Sequence, residues 1–123
     1  MAEILKTSVA FGAVSAQLTF TALTGQDFFK LDNADGRVTL LIRNANTQGA
    51  TVTLCAGDGQ LAALGDVAVA VPGAQTVAVP LARVDSARVK WLGGDSRGTV
   101  QLRAAADAGG TVGAVSAAVL SVE

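Results

Sequence analysis

Histidine and tyrosine are absent from this 123-residue chain, and it contains one cysteine. Histidine is the commonest general base and a common metal ligand, so its absence removes the usual starting point for acid–base catalysis. A catalytic thiol needs an activating base or a helix N-terminus, whereas Cys55 falls within a predicted strand. We therefore predict that the chain is not an enzyme and has no cofactor and no metal site. Cys55 is interpreted as a thiol in the core or in the wall around it.

Disulfide and targeting signals are also lacking. A single cysteine cannot form an internal disulfide, which is typical of a protein made in a reducing cytoplasm. Export signals place the basic residue before the apolar stretch, but Glu3 stands near the start and Lys6 precedes Thr, Ser and Gly, so no export signal is expected. No apolar run approaches 18 residues, so no transmembrane helix is predicted.

Charge is scarce and balanced. Charged residues make up 15% of the chain, against roughly 25% in typical soluble domains, and the net charge is −1. The basic residues are spread singly, and the aromatic residues are four phenylalanines and one tryptophan. This composition predicts neither a nucleic-acid nor a membrane partner. A surface of small, uncharged residues favours coverage by a protein partner or by further copies of the chain.

Paired carboxylates are the catalytic route that the composition leaves. Most of the acidic residues fall in predicted turns: Asp27, Asp32, Asp35, Asp58, Asp66, Asp95 and Asp107. Aspartates in turns usually accept hydrogen bonds from nearby backbone, and we interpret these residues in that way. The segment LDNADG resembles the start of a calcium loop, but its alignment puts Leu31 and Ile42 at the positions that need Asp and Glu. A looser calcium site built from Asp58 and Asp66 is the alternative.

What the chain does contain is alternation of period two. In DFFKLDNADGRVTLLIRNANTQGATVTLCAG (residues 27–57), apolar and polar residues alternate between polar turns, which predicts a β-meander. The predicted core face consists of Val38, Leu40, Ile42, Val52 and Leu54. The opposite row, predicted to lie at a surface, consists of Thr39, Leu41, Arg43, Thr51 and Thr53.

The second half of the chain continues this pattern. Alternating valines on both sides of Pro72-Gly73 predict a hairpin. Val89 and Trp91 are predicted to share one face of a short strand, which places Trp91 in the core. A sugar-stacking or partner-binding role for Trp91 is the alternative. In the strand that follows, Val100 and Leu102 are predicted to point inward.

About eight short strands, with glycine-centred turns every 8–12 residues, predict an all-β fold, an antiparallel β-sandwich of jelly-roll or immunoglobulin-like topology. Residues 26–123 are predicted to form this domain, and residues 1–25 an N-terminal arm or edge strands. Phe28 and Phe29 point to opposite faces of one strand, so one of them is expected at the surface. An exposed phenylalanine on a low-charge domain marks a contact surface. The predicted partner-binding residues are Phe11, Phe20, Phe28 and Phe29.

The order of these motifs resembles that of small tailed-bacteriophage virion proteins. The run DGRVTLLIRN, the strand TVTLCAGDG, the segment DVAVAVPGAQTVAVP and the closing Val/Ala strand carry the resemblance over about residues 26–122. The group is similar to head decoration (capsid cement) proteins and to related head or tail proteins. The resemblance implies many copies, assembled as trimers and bound to the major capsid protein at the capsid surface of the virion.

Three functions are therefore compared. The leading hypothesis is a structural virion protein that decorates and stabilises a capsid. The alternative is a carbohydrate- or cell-surface-binding module of a phage fibre or tail, which would present aromatic and polar side chains on one face. A small hydrolase is disfavoured by the absence of histidine and tyrosine.

Overall fold

The computed structural model describes residues 2–10, 12, 15–31, 37–81 and 86–122, and this part of the chain is all-β. Its ten strands are β1 (Ala2–Glu3), β2 (Lys6–Val9), β3 (Thr21–Ala22), β4 (Gln26–Lys30), β5 (Val38–Asn44), β6 (Ala50–Leu54), β7 (Val67–Val71), β8 (Thr76–Pro80), β9 (Thr99–Ala106) and β10 (Val115–Val122). The helical structure comprises α1 (Ser86–Val89) and short 3-10 turns at Ala62–Leu64, Gly94–Ser96 and Val112–Ala114. Nowhere in these residues does a helix reach the length and hydropathy needed to cross a membrane.

The strands form two sheets that share one hydrophobic core. Sheet 1 has the order β1-β4-β9-β6-β7, and sheet 2 has the order β2-β10-β5-β8, with β3 also paired to β10. The β1–β4 and β2–β10 pairs are parallel, and the other pairs between these strands are antiparallel. Both sheets are therefore mixed, where the sequence analysis expected antiparallel pairing throughout. The two parallel pairs are the ones that the N-terminal strands β1 and β2 add.

The three strands of the predicted meander, β4, β5 and β6, do not lie side by side in one sheet, so the predicted meander is wrong. Strand β4 belongs to sheet 1, β5 to sheet 2 and β6 to sheet 1. The predicted hairpin around Pro72-Gly73 is also wrong, because β7 pairs with β6 whereas β8 pairs with β5. Alternation indicates which side chains are buried. It does not indicate whether the next strand pairs in the same sheet or crosses to the facing sheet, because the same side chains are buried in both cases. The predicted turn at residues 33–36 lies outside the described residues.

The predicted core face is confirmed. Every member of the predicted inward row of β5 and β6 is buried, with at most 2% of its surface exposed: Val38, Leu40, Ile42, Val52 and Leu54. Val100 and Leu102 of β9 are buried as predicted. The opposite row is exposed or half-buried. Full burial of one such aliphatic side chain stabilises the fold by about 2 kcal/mol, so this row is a major part of the hydrophobic stabilisation.

The N-terminal residues close one side of the two-sheet body. β1 lies at the edge of sheet 1 and β2 at the edge of sheet 2, so the chain crosses between the sheets at Ile4 and Leu5. The Ile4 amide donates to the Phe28 carbonyl at 2.8 Å, and the Val119 amide donates to the Leu5 carbonyl at 3.4 Å. Ile4 is 1% exposed and belongs to the core, whereas Leu5 points outward. Within their described part, residues 1–25 thus include edge strands of both sheets.

The connection from β7 to β8 packs closely against the loop that follows β5. The buried Asn44 side chain donates from Nδ2 to the carbonyl oxygens of Gln48 (2.9 Å) and Val71 (3.2 Å), which links the end of β5 to the end of β7. The Ala74 amide donates to the Asn46 carbonyl at 2.8 Å. A Cβ added at Gly73 would overlap the Thr47 carbonyl group. Glycine is therefore required at position 73 by the close approach of backbone to backbone.

We predict that Gly73→Ala lowers the free energy of unfolding by about 3 kcal/mol, because backbone must move to admit the methyl group. Urea unfolding followed by circular dichroism measures the change. Gly113→Ala is the matched control, since a Cβ there meets no atom within 4 Å. The control should change stability by less than about 0.5 kcal/mol. Equal effects of the two substitutions would contradict the packing described for residue 73.

Candidate interaction surface

The outward side chains of β4, β6 and β9 form one continuous surface on sheet 1. We call it the sheet 1 outer face, and it consists of Gln26, Phe28, Lys30, Thr51, Thr53, Gln101, Arg103 and Ala105. Strand register places them in rows, because Arg103 lies between Gln26 on one side and Thr53 on the other. Phe28 lies opposite Gln101 in the next row. The period-two alternation that buries Phe29 and Leu102 thus turns these residues outward.

Shallow depressions run along this face. One of them has a volume of about 410 Å³ and is lined by Gly25, Gln26, Thr51, Thr53, Arg103, Ala104 and Ala105. A second, of about 140 Å³, shares Gln26 and Arg103 with it and reaches Cys55. A third, of about 190 Å³, lies between Phe28, Gln101 and the Gly94–Ser96 turn. Together they form a broad trough rather than an enclosed pocket.

The chemistry of the trough is that of a neutral hydrogen-bonding surface. Among the described residues, the side chains of Gln26, Thr51 and Thr53 have no hydrogen-bond partner, so their amide and hydroxyl groups face solvent. The face carries two cations, each paired with a carboxylate: Arg103 contacts Asp66 at 2.5 Å between Nη2 and Oδ2, and Lys30 contacts Glu3 at 3.6 Å between Nζ and Oε2. All four of these side chains are well exposed, so the pairs add little to stability. The face can donate and accept hydrogen bonds without attracting strongly charged partners.

The four predicted contact phenylalanines do not form one site. Phe28 lies half-buried on the sheet 1 outer face. Phe29 has no exposed surface and packs in the core, which corrects its assignment as a partner contact: its neighbour Phe28 takes the outward position. Phe20 lies under the guanidinium group of Arg43, with 4.3 Å between Cζ and the ring centroid, on the outer side of sheet 2. Phe11 lies outside the described residues.

The described aspartates with side-chain hydrogen bonds accept largely from backbone amides, but the predicted bonding within their own turns is wrong for two of them, because the amides bound to Asp58 and Asp66 lie 34 and 10 residues away in the sequence. Asp27 is buried and accepts from the amide and the hydroxyl of Thr24 at 3.0 and 2.8 Å. Asp58 accepts from the Leu92 amide at 2.6 Å, and Asp66 accepts from the Ala56 amide at 2.7 Å. No group of three or more His, Cys, Asp or Glu side chains that could hold a metal ion occurs among the described residues. Cys55 is half-buried at the wall of the trough.

Arg88 has a structural role that the sequence analysis missed. The strand predicted around it is instead the helix α1, followed by a single bridge between Lys90 and Val100. From α1 the Arg88 side chain donates to three successive carbonyl oxygens, those of Leu64 (3.0 Å), Gly65 (2.7 Å) and Asp66 (2.9 Å). A guanidinium group has enough donors to bind several acceptors at once. It holds the 55–66 connection against α1.

Trp91 also departs from its predicted core position. It is half-buried, and its Nε1 atom is buried without a hydrogen-bond partner among the described residues. The next residue, Leu92, is 54% exposed, and Leu64 on the 55–66 connection is 62% exposed. These two leucines show that apolar surface also occurs on the connections, away from the sheet 1 outer face.

Comparisons of the chain with protein-family models, with curated proteins and with solved structures each gave no match. The resemblance to virion proteins therefore stays a prediction, and function is argued from the surfaces described above.

We predict that Arg88→Met, which keeps most of the apolar stem, lowers the free energy of unfolding by about 2 kcal/mol because charged hydrogen bonds to three carbonyls are lost. Hydrogen exchange of residues 55–66 should accelerate as the connection loosens. Arg97→Met is the control, since Arg97 is exposed and its side chain makes no hydrogen bond to the described residues. Unchanged exchange in the Arg88 variant would show that the three bonds do not hold the connection.

Proposed function

We propose that this chain is a structural β-sandwich protein of a bacteriophage virion, which decorates and stabilises the capsid by binding the major capsid protein. It is made in the host cytoplasm, joins the capsid surface and acts in several copies. The observation that carries the proposal is the sheet 1 outer face, a broad, polar trough formed by open depressions around one aromatic side chain, Phe28. Protein–protein contacts are typically of this kind, with an aromatic anchor surrounded by polar groups.

Phe28 is the anchor in this proposal. The Phe28 side chain is already half-buried on β4, so it loses little further conformational entropy when a partner binds it. Gln101 stands opposite it and donates from Nε2 to Ser96 Oγ at 3.2 Å, which orients its amide group. Gln26, at the other end of the trough, retains its full hydrogen-bonding capacity for a partner.

The N-terminal residues contribute by stiffening the protein. Removing residues 1–25 would take β1 from sheet 1 and both β2 and β3 from sheet 2, and it would remove the core residue Ile4. A truncation would therefore test folding together with binding. Single substitutions on the outer faces separate the two.

We predict that Phe28→Ala weakens binding to purified capsids by about 30-fold, since loss of an aromatic anchor typically costs about 2 kcal/mol of binding free energy. Co-sedimentation of the protein with capsids that lack it measures the affinity. Phe20→Ala is the matched control, because Phe20 lies on the other sheet and faces the opposite way. Equal affinity of the Phe28 variant and the unmodified protein would contradict this contact surface. Absence of any capsid binding would overturn the proposed function.

A carbohydrate- or cell-surface-binding module of a phage fibre or tail is the second candidate. It is favoured by one observation: Phe28 shares its face with the amide groups of Gln26 and Gln101, so a sugar ring could stack on the aromatic side chain while its hydroxyls bond to the Gln26 amide or to the carbonyl oxygen of the Gln101 side chain. The separation of Phe28 from Phe20 leaves one described phenylalanine on that face, which weakens this candidate. Binding to immobilised glycans that Phe28→Ala abolishes, without binding to capsids, would favour it over the capsid role.

A further inference from the structure

The free edge of β7 lacks the features that keep other sheet edges from pairing. Short length, charged side chains and proline normally protect an edge strand. β1 has two residues and carries Glu3, β2 carries Lys6, and β8 ends in Pro80. By contrast, β7 has the sequence VAVAV, five residues with no charge and no proline. It lies at the end of sheet 1 opposite β1.

Hydrogen-bond alternation identifies which backbone groups of β7 are free. The Cys55 amide donates to the Gln101 carbonyl at 2.8 Å, so the alternate residues Leu54 and Val52 direct their backbone groups toward β7. The residues of β7 paired with them, the valines, direct theirs toward β6. The N–H and C=O groups of Ala68 and Ala70 therefore point away from the sheet.

Strand β8, the free edge of sheet 2, differs in this respect. The Leu81 amide donates to the Val38 carbonyl at 2.9 Å, so the alternate residue Pro80 occupies a position directed toward the free edge. Proline has no N–H group, which interrupts any ladder there. The two neighbouring edges thus differ in their capacity to accept another strand.

The sequence of β7 indicates which strand it fits. VAVAV reads the same in both directions, so antiparallel pairing of two copies about Val69 places Ala68 opposite Ala70 of the second copy. Each copy offers the N–H and C=O groups of both alanines, and every donor meets an acceptor. Val69 then lies opposite Val69 of the second copy in a non-hydrogen-bonded pair, where side chains approach most closely.

Burial and charge both favour this arrangement. Val67 and Val69 pack against the core but are only half-buried, so apolar surface remains uncovered along this edge. The nearest charge is that of Asp66, which would lie opposite Pro72 of the second copy and is compensated by Arg103 of its own chain. No like charges meet in the pairing, and uncovered valine surface of one copy meets that of the other.

We propose that the chain forms a two-fold symmetric dimer through antiparallel pairing of β7 with β7 of a second copy, which joins the two copies of sheet 1 into one continuous sheet. The contact is isologous and uses each β7 edge once, so it closes at two copies. It differs in this way from the trimer that the virion-protein resemblance implies. The proposal stands apart from the capsid role, since it concerns the purified chain alone.

Sedimentation equilibrium of the full chain, from about 1 µM to about 1 mM, tests the dimer. We expect a monomer–dimer equilibrium that Ala70→Pro shifts at least tenfold toward monomer, because the substitution removes one free-edge N–H and leaves the bonds to β6 intact. Ala78→Pro on β8 is the matched control, since Ala78 has the same orientation on the other free edge, and it should leave the equilibrium unchanged. Val69→Lys provides a second route to the monomer by placing like charges at the two-fold axis.

Cross-linking tests the register independently. In a C55S background, V69C should form a disulfide between copies under mild oxidation, because a non-hydrogen-bonded antiparallel pair has a Cα separation of about 4.5 Å, within the range of disulfides. V77C on β8 should remain reduced in the same conditions. The proposal is overturned by a monomer at every concentration, by a trimer, or by a dimer that persists in both Ala70→Pro and Val69→Lys.

Discussion

Burial of the inward row of β5 is the constraint from which most of this structure follows. β5 lies inside sheet 2, between β10 and β8, and its apolar row consists of Val38, Leu40 and Ile42. These side chains project from the face of the sheet, so the neighbouring strands of the same sheet cannot cover them. A second sheet must cover that row. The strands before and after it in sequence, β4 and β6, both lie in that covering sheet. By crossing between the sheets before and after β5, the chain covers the inward row of this strand.

Because packed apolar side chains fill the interior, the groups that could bind a partner lie at the surface. Side chains that could bind a partner occupy the outward positions of the strands, such as Phe28 and Gln26, or the free backbone of an edge such as Ala70. Polar groups that the fold does bury are used to join segments. Asn44 links β5 to the end of β7, and Asp27 holds Thr24 before β4. We therefore expect a partner to bind at the outer face or at the edge of a sheet.

Sequence pattern predicted the strands and their buried rows well, because the period of two is a local property that survives any choice of partner. It could not assign strands to sheets, since the residues that decide pairing lie far apart in the chain. Gly73 illustrates this: its role as a turn former was predicted, but its close contact with Thr47 depends on a crossing between sheets. The alternation of Val89 and Trp91 was too short to separate a strand from the helical turn that forms there.

The candidate surface was predictable only in part. Phe28 and Phe29 were expected on opposite faces of one strand, and they are, but which one faces outward depends on the side of β4 that sheet 2 covers. The bonds of Arg88 to three carbonyls carry no signal in the sequence, because backbone oxygens are present at every residue. A basic residue near a glycine-containing connection was the available indication, and it is not specific.

The crossing of the N-terminal residues from one sheet to the other also bears on how the chain folds. β2 pairs in parallel with the end of β10, which brings Lys6–Val9 beside residues 119–122. Contacts between such distant residues form late, because a loop of almost the whole chain must close first. During synthesis, the edge of sheet 2 where β2 docks cannot form until β10 has left the ribosome. Lys6–Val9 are thus synthesised well before the strand with which they pair.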